Sequence, residues 1–362
     1  MNQLRAKLKP YSLILFFLVA LFVVLSVIAL YLFIDYLSTP IEQHNRFENQ
    51  PAHTILDHSS QFETLWESSE NLLHSLVIAD NHIFAVKNEY YDTPPGRGMI
   101  FTKLDIDTGE RIWEEKADYF GRVLHNSSHI FVERNNGEVV AYNLQDVNTA
   151  WVHDFSPRQN VRSISLSENH LIVHVSQDKT VIFEADSGSP FLDESLSTYS
   201  KLLYFDEDIS YFYISNFSLV AYDHKTEVER WRHSPNGFEG DPFFDGDRIY
   251  VRTFQGQIQA LNTNSGDILW ETKRPTSLID AERVVSNFAV TEKYLFYLTQ
   301  DAQLKVLDKF TGERIGWINF SNSFFLLGDD IANYYFEVAA DTNYVTVFLA
   351  DSWQLFVFRF AE

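Results

Sequence analysis

The chain has 362 residues, with 28 Lys and Arg against 50 Asp and Glu, a formal net charge of −22 and no cysteine. Without cysteine there are no disulfides, no thiolate-ligated zinc or iron–sulfur centres, no thiol nucleophile and no lipidated N-terminal cysteine. The acidic balance argues against a nucleic-acid groove, because phosphate backbones are bound by clustered Lys and Arg.

In chain order the first predicted element is a membrane helix. Tyr11 to Ile34 carries no charge, long enough at about 1.5 Å per residue to cross a hydrocarbon core of roughly 30 Å. Arg5, Lys7 and Lys9 precede it and Asp35 follows, so the positive-inside rule predicts a cytoplasmic segment 1–10 and an exported body. A cleaved signal peptide is the rival reading. Its apolar region is usually shorter and ends in small residues, whereas Tyr31, Leu32, Phe33 and Ile34 crowd this exit. Residues 35–60 are polar and aperiodic, as expected of a tether.

From residue 61 to 362 the pattern is short alternating stretches separated by turn signals such as Asn-Gly and Asp-Gly. That pattern predicts antiparallel strands joined in hairpins. One unit recurs: Asp105, Gly109 and Trp113 are matched by Asn262, Gly266 and Trp270, and by Asp223 and Trp231 with Glu227 between them. Asn143 with Trp151 keeps the spacing without glycine. Glu184 and Gly188 keep the turn but are followed by Leu192, and Asp308 and Gly312 are followed by Trp317 one residue late, which predicts a bulge near Gly316. An acidic or amide side chain accepts turn N–H groups, glycine supplies positive φ, and the Trp face packs between neighbours.

Repeats of about 40 residues are propeller blades of four strands. Seven third strands end near Asp105, Asn143, Glu184, Asp223, Asn262, Asp308 and Arg359. The unmatched strand around Trp66 is expected to complete the last blade and close the ring without free edges. The fold class is therefore an all-β propeller of seven blades, with eight as the alternative if residues 318–343 contain further strands.

The units around Asp223–Trp231 and Asn262–Trp270 resemble the tryptophan-docking repeat of quinoprotein (pyrroloquinoline-quinone, PQQ) dehydrogenases and their non-catalytic relatives, the PQQ-like propellers typified by the outer-membrane assembly factor BamB. The resemblance implies an extracytoplasmic scaffold that holds partner proteins. The chain departs from that pattern in two ways: a membrane helix replaces the lipidated cysteine, and seven blades replace eight. The enzymes of the group hold PQQ above calcium, often beside a vicinal disulfide that this chain cannot form. The acidic pairs Asp105/Asp107, Asp245/Asp247 and Asp329/Asp330 read as turns and loops, the 12 His show no HExxH pattern, and no catalytic, cofactor or metal site is expected. A degenerate PQQ-dependent oxidoreductase is the alternative function.

Two loops exceed what the repeat needs. Asn88 to Met99 holds Tyr90, Tyr91 and Arg97, and Phe320 to Asp330 is apolar, with Phe324, Phe325 and Leu326 readable as an inner strand of the last blade. With Trp353 in the final hairpin turn, Tyr90, Tyr91 and Arg97 are the candidate interface residues, since Tyr, Trp and Arg are favoured anchors. The expected partner is a basic envelope protein, bound by a monomeric ring. Residues 36–362 hold 25 basic against 49 acidic residues, so the acidity belongs to the exported body.

Overall fold

The computed structural model describes residues 53–68, 73–90, 97–135, 137–155, 161–167, 169–175, 179–194, 201–205, 208–214, 218–234, 237–238, 240–254, 256–273, 283–321, 336–349, 352 and 354–361. The membrane-helix and cytoplasmic assignments, Tyr91, Trp353, Asp329/Asp330 and the stretch 324–326 all lie outside these residues. Among the described residues no helix is long and apolar enough to cross a membrane.

The strands form seven antiparallel sheets. The first blade contains β3 (Leu73–Ala79), β4 (His82–Tyr90), β5 (Arg97–Asp105) and β6 (Arg111–Ala117). The next contains β7 (Phe120–His125), β8 (His129–Arg134), β9 (Glu138–Asn143) and β10 (Thr149–Asp154). The third and fourth blades span 161–194 and 201–233, with inner strands β11 (Val161–Ser167) and β15 (Lys201–Phe205). The fifth runs from β19 (Phe243–Asp245) to β22 (Ile268–Glu271), and the sixth from β23 (Ala289–Val290) to β26 (Arg314–Phe320). The seventh is assembled from both ends of the ring, in the order β2 (Phe62–Ser68), β29 (Gln354–Phe360), β28 (Tyr344–Leu349), β27 (Glu337–Ala340).

Seven blades, with no extra strands in the described part of 318–343, replace the eight-bladed alternative. Among the described residues the inner strand of the last blade is β27.

The second and third strands of each blade carry the core because both faces are covered by neighbouring blades. Ile83, Phe84, Ala85 and Val86 in β4 are fully buried, as are Leu295, Phe296 and Leu298 in the sixth blade. Outer strands alternate: β6 reads exposed at Arg111 and Ile112 and half-buried at Trp113. Second and third strands therefore bear near-continuous apolar runs, and the inner and outer strands are mixed, as in β7 and β11.

The tether assigned to 35–60 contains structure. β1 (Ile55–His58) pairs antiparallel with β26 and makes the sixth blade five-stranded. The ring begins about where residue 53 sits.

Candidate functional site

The turns that join third to fourth strands are built alike. Asp105 Oδ1 accepts the N–H groups of Asp107 and Thr108 and the Thr108 hydroxyl, at 2.8 to 3.1 Å. The Thr108 bonds hold the Asp105 carboxyl below its usual value. Asp308 makes the same set with Phe310 and Thr311, and Asn262 accepts from Asn264 and Ser265. Gly109 then sits at φ +72, where an L side chain is strained, and its N–H returns to the Asp105 carbonyl at 2.9 Å.

Each of these turns receives a tryptophan from the preceding blade. Trp66 Nε1 donates to the Ile106 carbonyl at 2.8 Å, Trp151 to Ala185 at 3.0 Å, Trp231 to Thr263 at 2.8 Å and Trp270 to Lys309 at 2.9 Å. The ring lies flat on the turn glycine. A Cβ on Gly188, Gly266 or Gly312 would fall 2.6 to 2.7 Å from the indole atoms of Trp151, Trp231 or Trp270. The glycine is thus needed for its missing side chain as well as for its φ. Trp113 packs against Phe101 and Tyr142 at ring separations of 5.5 and 5.7 Å.

Trp317 does not share this geometry. In the other blades the Trp pairs with the residue two before the Asp or Asn: Trp113 with Lys103, Trp151 with Ala141, Trp231 with Ala221, Trp270 with Ala260. The corresponding partner of Val306 is Gly316. A one-residue register shift precedes the pair in every one of these blades, so the sixth has no additional insertion. Trp317, one residue on, points to the opposite face of its strand.

The space is taken by the chain's own N-terminal corner. A Cβ on Gly316 would meet Ser59 Oγ at 3.0 Å and Phe62 at 3.6 Å. Ser59 N–H donates to the Trp317 carbonyl at 2.9 Å, and Trp317 N–H donates to Ser59 Oγ at 3.2 Å.

Around this corner the ring is clasped. His53 N–H donates to Gln354 Oε1 at 2.6 Å and the Gln354 amide donates back to the His53 carbonyl at 3.1 Å. Ala361 N–H reaches the Gln61 carbonyl at 2.9 Å. Phe62 meets Phe358 edge-to-face and Phe360 at a tilt, with ring centroids 6.0 and 5.1 Å apart.

The opposite face holds the features suited to binding. Inner strands of successive blades run in one direction, so their starts share a face with the hairpins between second and third strands. The β4–β5 hairpin is the long one. After Leu73 pairs with Lys87, the last β3 contact, β4 and β5 continue through three more pairs, ending at Tyr90 with Arg97. At about 3.4 Å per residue the hairpin stands roughly 10 Å proud of its own inner strand. The backbone places Tyr90 and Arg97 at its tip.

Within that face opens an axial channel of about 360 Å³ that touches the inner strand of every blade. Four charged residues at its mouth come from the starts of inner strands or just before them: Arg122, Lys201, Asp241 and Glu337. Lys201 Nζ donates to Asp241 Oδ1 at 2.8 Å and Arg122 Nη1 to Oδ2 at 3.3 Å. Burial alone raises the Asp241 carboxyl, but Lys201 and Arg122 together hold it below its ordinary value. Glu337 Oε2 accepts the Leu76 N–H at 2.7 Å, and burial pushes its carboxyl up to about 7.

This donor set does not fit the calcium of a quinoprotein site. Hard cations need several converging oxygens, whereas both Asp241 oxygens are held by cations and the Asn287 amide is committed to Val338 at 2.8 and 2.9 Å. Among the described residues no three His, Asp or Glu converge on a point that would hold a metal. Sequence reasoning missed the channel charges altogether. The hairpin was detectable through its excess length.

The family profile described as outer membrane protein assembly factor BamB matches residues 59–202 and 200–323. No curated protein sequence matches the chain. Among solved structures, BamB from Moraxella catarrhalis is 15% identical over 86% of this chain and 99% of its own, with a TM-score of 0.49. Raptor from Chaetomium thermophilum is 10% identical over 83% of this chain and 29% of its own, with a TM-score of 0.60. The computationally designed Ika8 protein is 11% identical over 82% of this chain and 98% of its own, at 0.54. The likeness to Raptor and Ika8 speaks to the fold alone, while the profile spans most of the ring: the chain belongs to the family described as outer membrane protein assembly factor BamB.

Proposed function

We propose that this chain is a non-enzymatic scaffold that holds protein partners outside the cytoplasmic membrane during outer-membrane protein assembly. The observation that carries the reading is the family match across residues 59–323. The projecting β4–β5 hairpin supplies a contact element, since long loops on a rigid scaffold commonly carry binding. In this reading residues 11–34 anchor the chain in the cytoplasmic membrane with residues 1–10 inside. Tyr90, Tyr91, Arg97 and Trp353 are the contact residues, and the monomeric ring presents its acidic surface to a basic partner.

The test places a photoreactive amino acid at Tyr90 in living cells, with a second one at the exposed Val228, on the outer strand of the fourth blade, as control. Crosslinks at Tyr90 to outer-membrane assembly proteins, weakened by salt and lost when residues 88–98 are replaced by a two-residue turn, support the proposal. A Tyr90 pattern identical to the Val228 control overturns the hairpin assignment, and an activity restored by PQQ and calcium overturns the non-enzymatic one.

A further inference from the structure

At the mouth of the axial channel two cations meet a single carboxylate directly, while the second acid, Glu337, is bonded to the Leu76 N–H. Arg122 and Lys201 share one fully engaged carboxylate, that of Asp241. The Arg122 contact, at 3.3 Å, is longer than the roughly 2.7–2.9 Å of a tight charge-assisted bond. It is also the one hydrogen bond this guanidinium makes among the described residues, although the group has five donors. Such a cationic spot is unexpected in a chain of net charge −22.

Glu337, the other acid at the mouth, is raised by burial to about 7 against the pull of the Leu76 N–H and of Arg122, so it is uncharged only at pH values well below that. Farther in, the wall is apolar, formed by Leu76, Leu203, Phe243 and Phe288. Ser75, His125 and Asn287 also line the channel and are hydrogen-bonded, whereas the buried Ser165 Oγ has no hydrogen-bond partner among the described residues. A buried hydroxyl left unpaired costs free energy that a ligand's acceptor would recover. The volume, about 360 Å³, lies within the roughly 300–1,000 Å³ typical of ligand pockets.

The geometry points to a binding site for a carboxylate carried on an apolar body, with the carboxylate on Arg122 and Lys201, the body against Leu203, Phe243 and Phe288, and an acceptor on Ser165. Asp241 is then the internal counter-ion that holds the two cations together until a ligand arrives, and it competes with that ligand. The carboxylate belongs either to a free apolar acid or to the C-terminal residue of a polypeptide. The inference goes beyond the scaffold reading and does not depend on the hairpin being its docking element.

The experiment titrates the full chain calorimetrically with four probes: 4-phenylbutyrate, its amide, acetyl-Ala-Ala-Phe with a free carboxylate, and the same peptide amidated. Either acid is expected to bind at least about tenfold more tightly than its amide, in keeping with the worth of a charge-assisted contact. Preference for the small acid or for the peptide identifies the source.

Arg122→Gln and Lys201→Gln are each expected to weaken the acid about tenfold, and Asp241→Asn to tighten it several-fold by releasing both cations. A group that only braced the channel would weaken binding when removed. The site is overturned if acid and amide bind alike, if none of the four binds, or if Asp241→Asn weakens binding while the unfolding midpoint is unchanged. Should Asp241→Asn fail to fold, Lys201→Gln alone decides: unaltered acid binding by that variant overturns the site.

Discussion

Two kinds of junction hold this ring together, and they use different physics. Between most neighbours the joint is local and repeated: a Trp ring laid on a bare glycine, with its N–H on the next carbonyl, as for Trp231 on Gly266. Between the sixth and seventh blades there is no such turn to receive a Trp, because β29 ends the chain's strands at Phe360. The N-terminal corner, with Ser59 and Phe62 against Gly316, fills the place. The contrast teaches that an indole is used where both partners lie close in sequence, and a whole strand where the two ends of the chain must meet.

The largest expected effect is at the closure. Phe62 is 4% exposed and sits in the core cluster shared by the last two blades, so Phe62→Ala should cost about 3–5 kcal/mol. Denaturant melts would show this as a fall in midpoint, with slope reduced if the seventh blade detaches first. A loss under about 1 kcal/mol would mean that β2 is dispensable to closure and would remove the contrast.

At the repeated joints, Gly266→Ala must both adopt φ +72 and push aside the Trp231 ring 2.7 Å from the new methyl. About 2–3 kcal/mol is expected, whereas Gly246→Ala, with φ +57 but nothing within 4 Å, should cost about 1 kcal/mol. Equal losses at the two sites would show that backbone conformation alone explains the glycine.

The junction of the seventh and first blades is expected to be sensitive to pH. Glu337, in β27, accepts the Leu76 N–H of β3 with a carboxyl raised to about 7. A group raised on folding contributes stability that is complete below its unfolded value near 4.5 and is lost as pH rises through about 7. Glu337→Gln keeps the acceptor and removes the charge, so it should be near neutral at pH 5 and stabilising by about 1–2 kcal/mol at pH 8. Thermal melts of both proteins across that range check the sign, and a benefit confined to low pH would refute it.

The smallest effect concerns turns that lack the glycine. Val147 and Glu227 occupy its position at φ +58, which is costly for a β-branched residue. Val147→Gly should stabilise by about 0.5–1 kcal/mol, and Glu227→Gly by less. Isothermal unfolding resolves differences of that size only in side-by-side measurements.

Much of the blade plan was legible in the sequence because its signals are local. Six of the seven third strands end in an Asp, Asn or Glu whose turn is encoded within about five residues, and the strand around Trp66 announced itself by having no predecessor. What failed was non-local. The spacing at Trp317 looked like a late copy of the repeat, but register is counted across the hairpin, and there Gly316 holds the position. β1 is four residues with no turn of its own, and its partner Phe320 lies far along the chain. Arg122, Lys201, Asp241 and Glu337 come from separate blades, so nothing but ring closure brings them to one mouth. The hairpin tip at Tyr90 and Arg97 was found through length, which sequence does carry.

The strand that locks the ring has a consequence for how the protein is made. β2 leaves the ribosome long before its partner β29. Until then the first strand has nothing to pair with, and the growing chain presents open sheet edges of the kind that aggregate. The entropic penalty of joining such distant segments rises only logarithmically with their separation, so the delay is one of timing more than of free energy. A product terminated before Gln354 would lack both β29 and the amide that clasps His53. Synthesis as far as β29 is thereby written into the fold as the condition for a closed ring, and a chain stopped short of it stays recognisable to proteases.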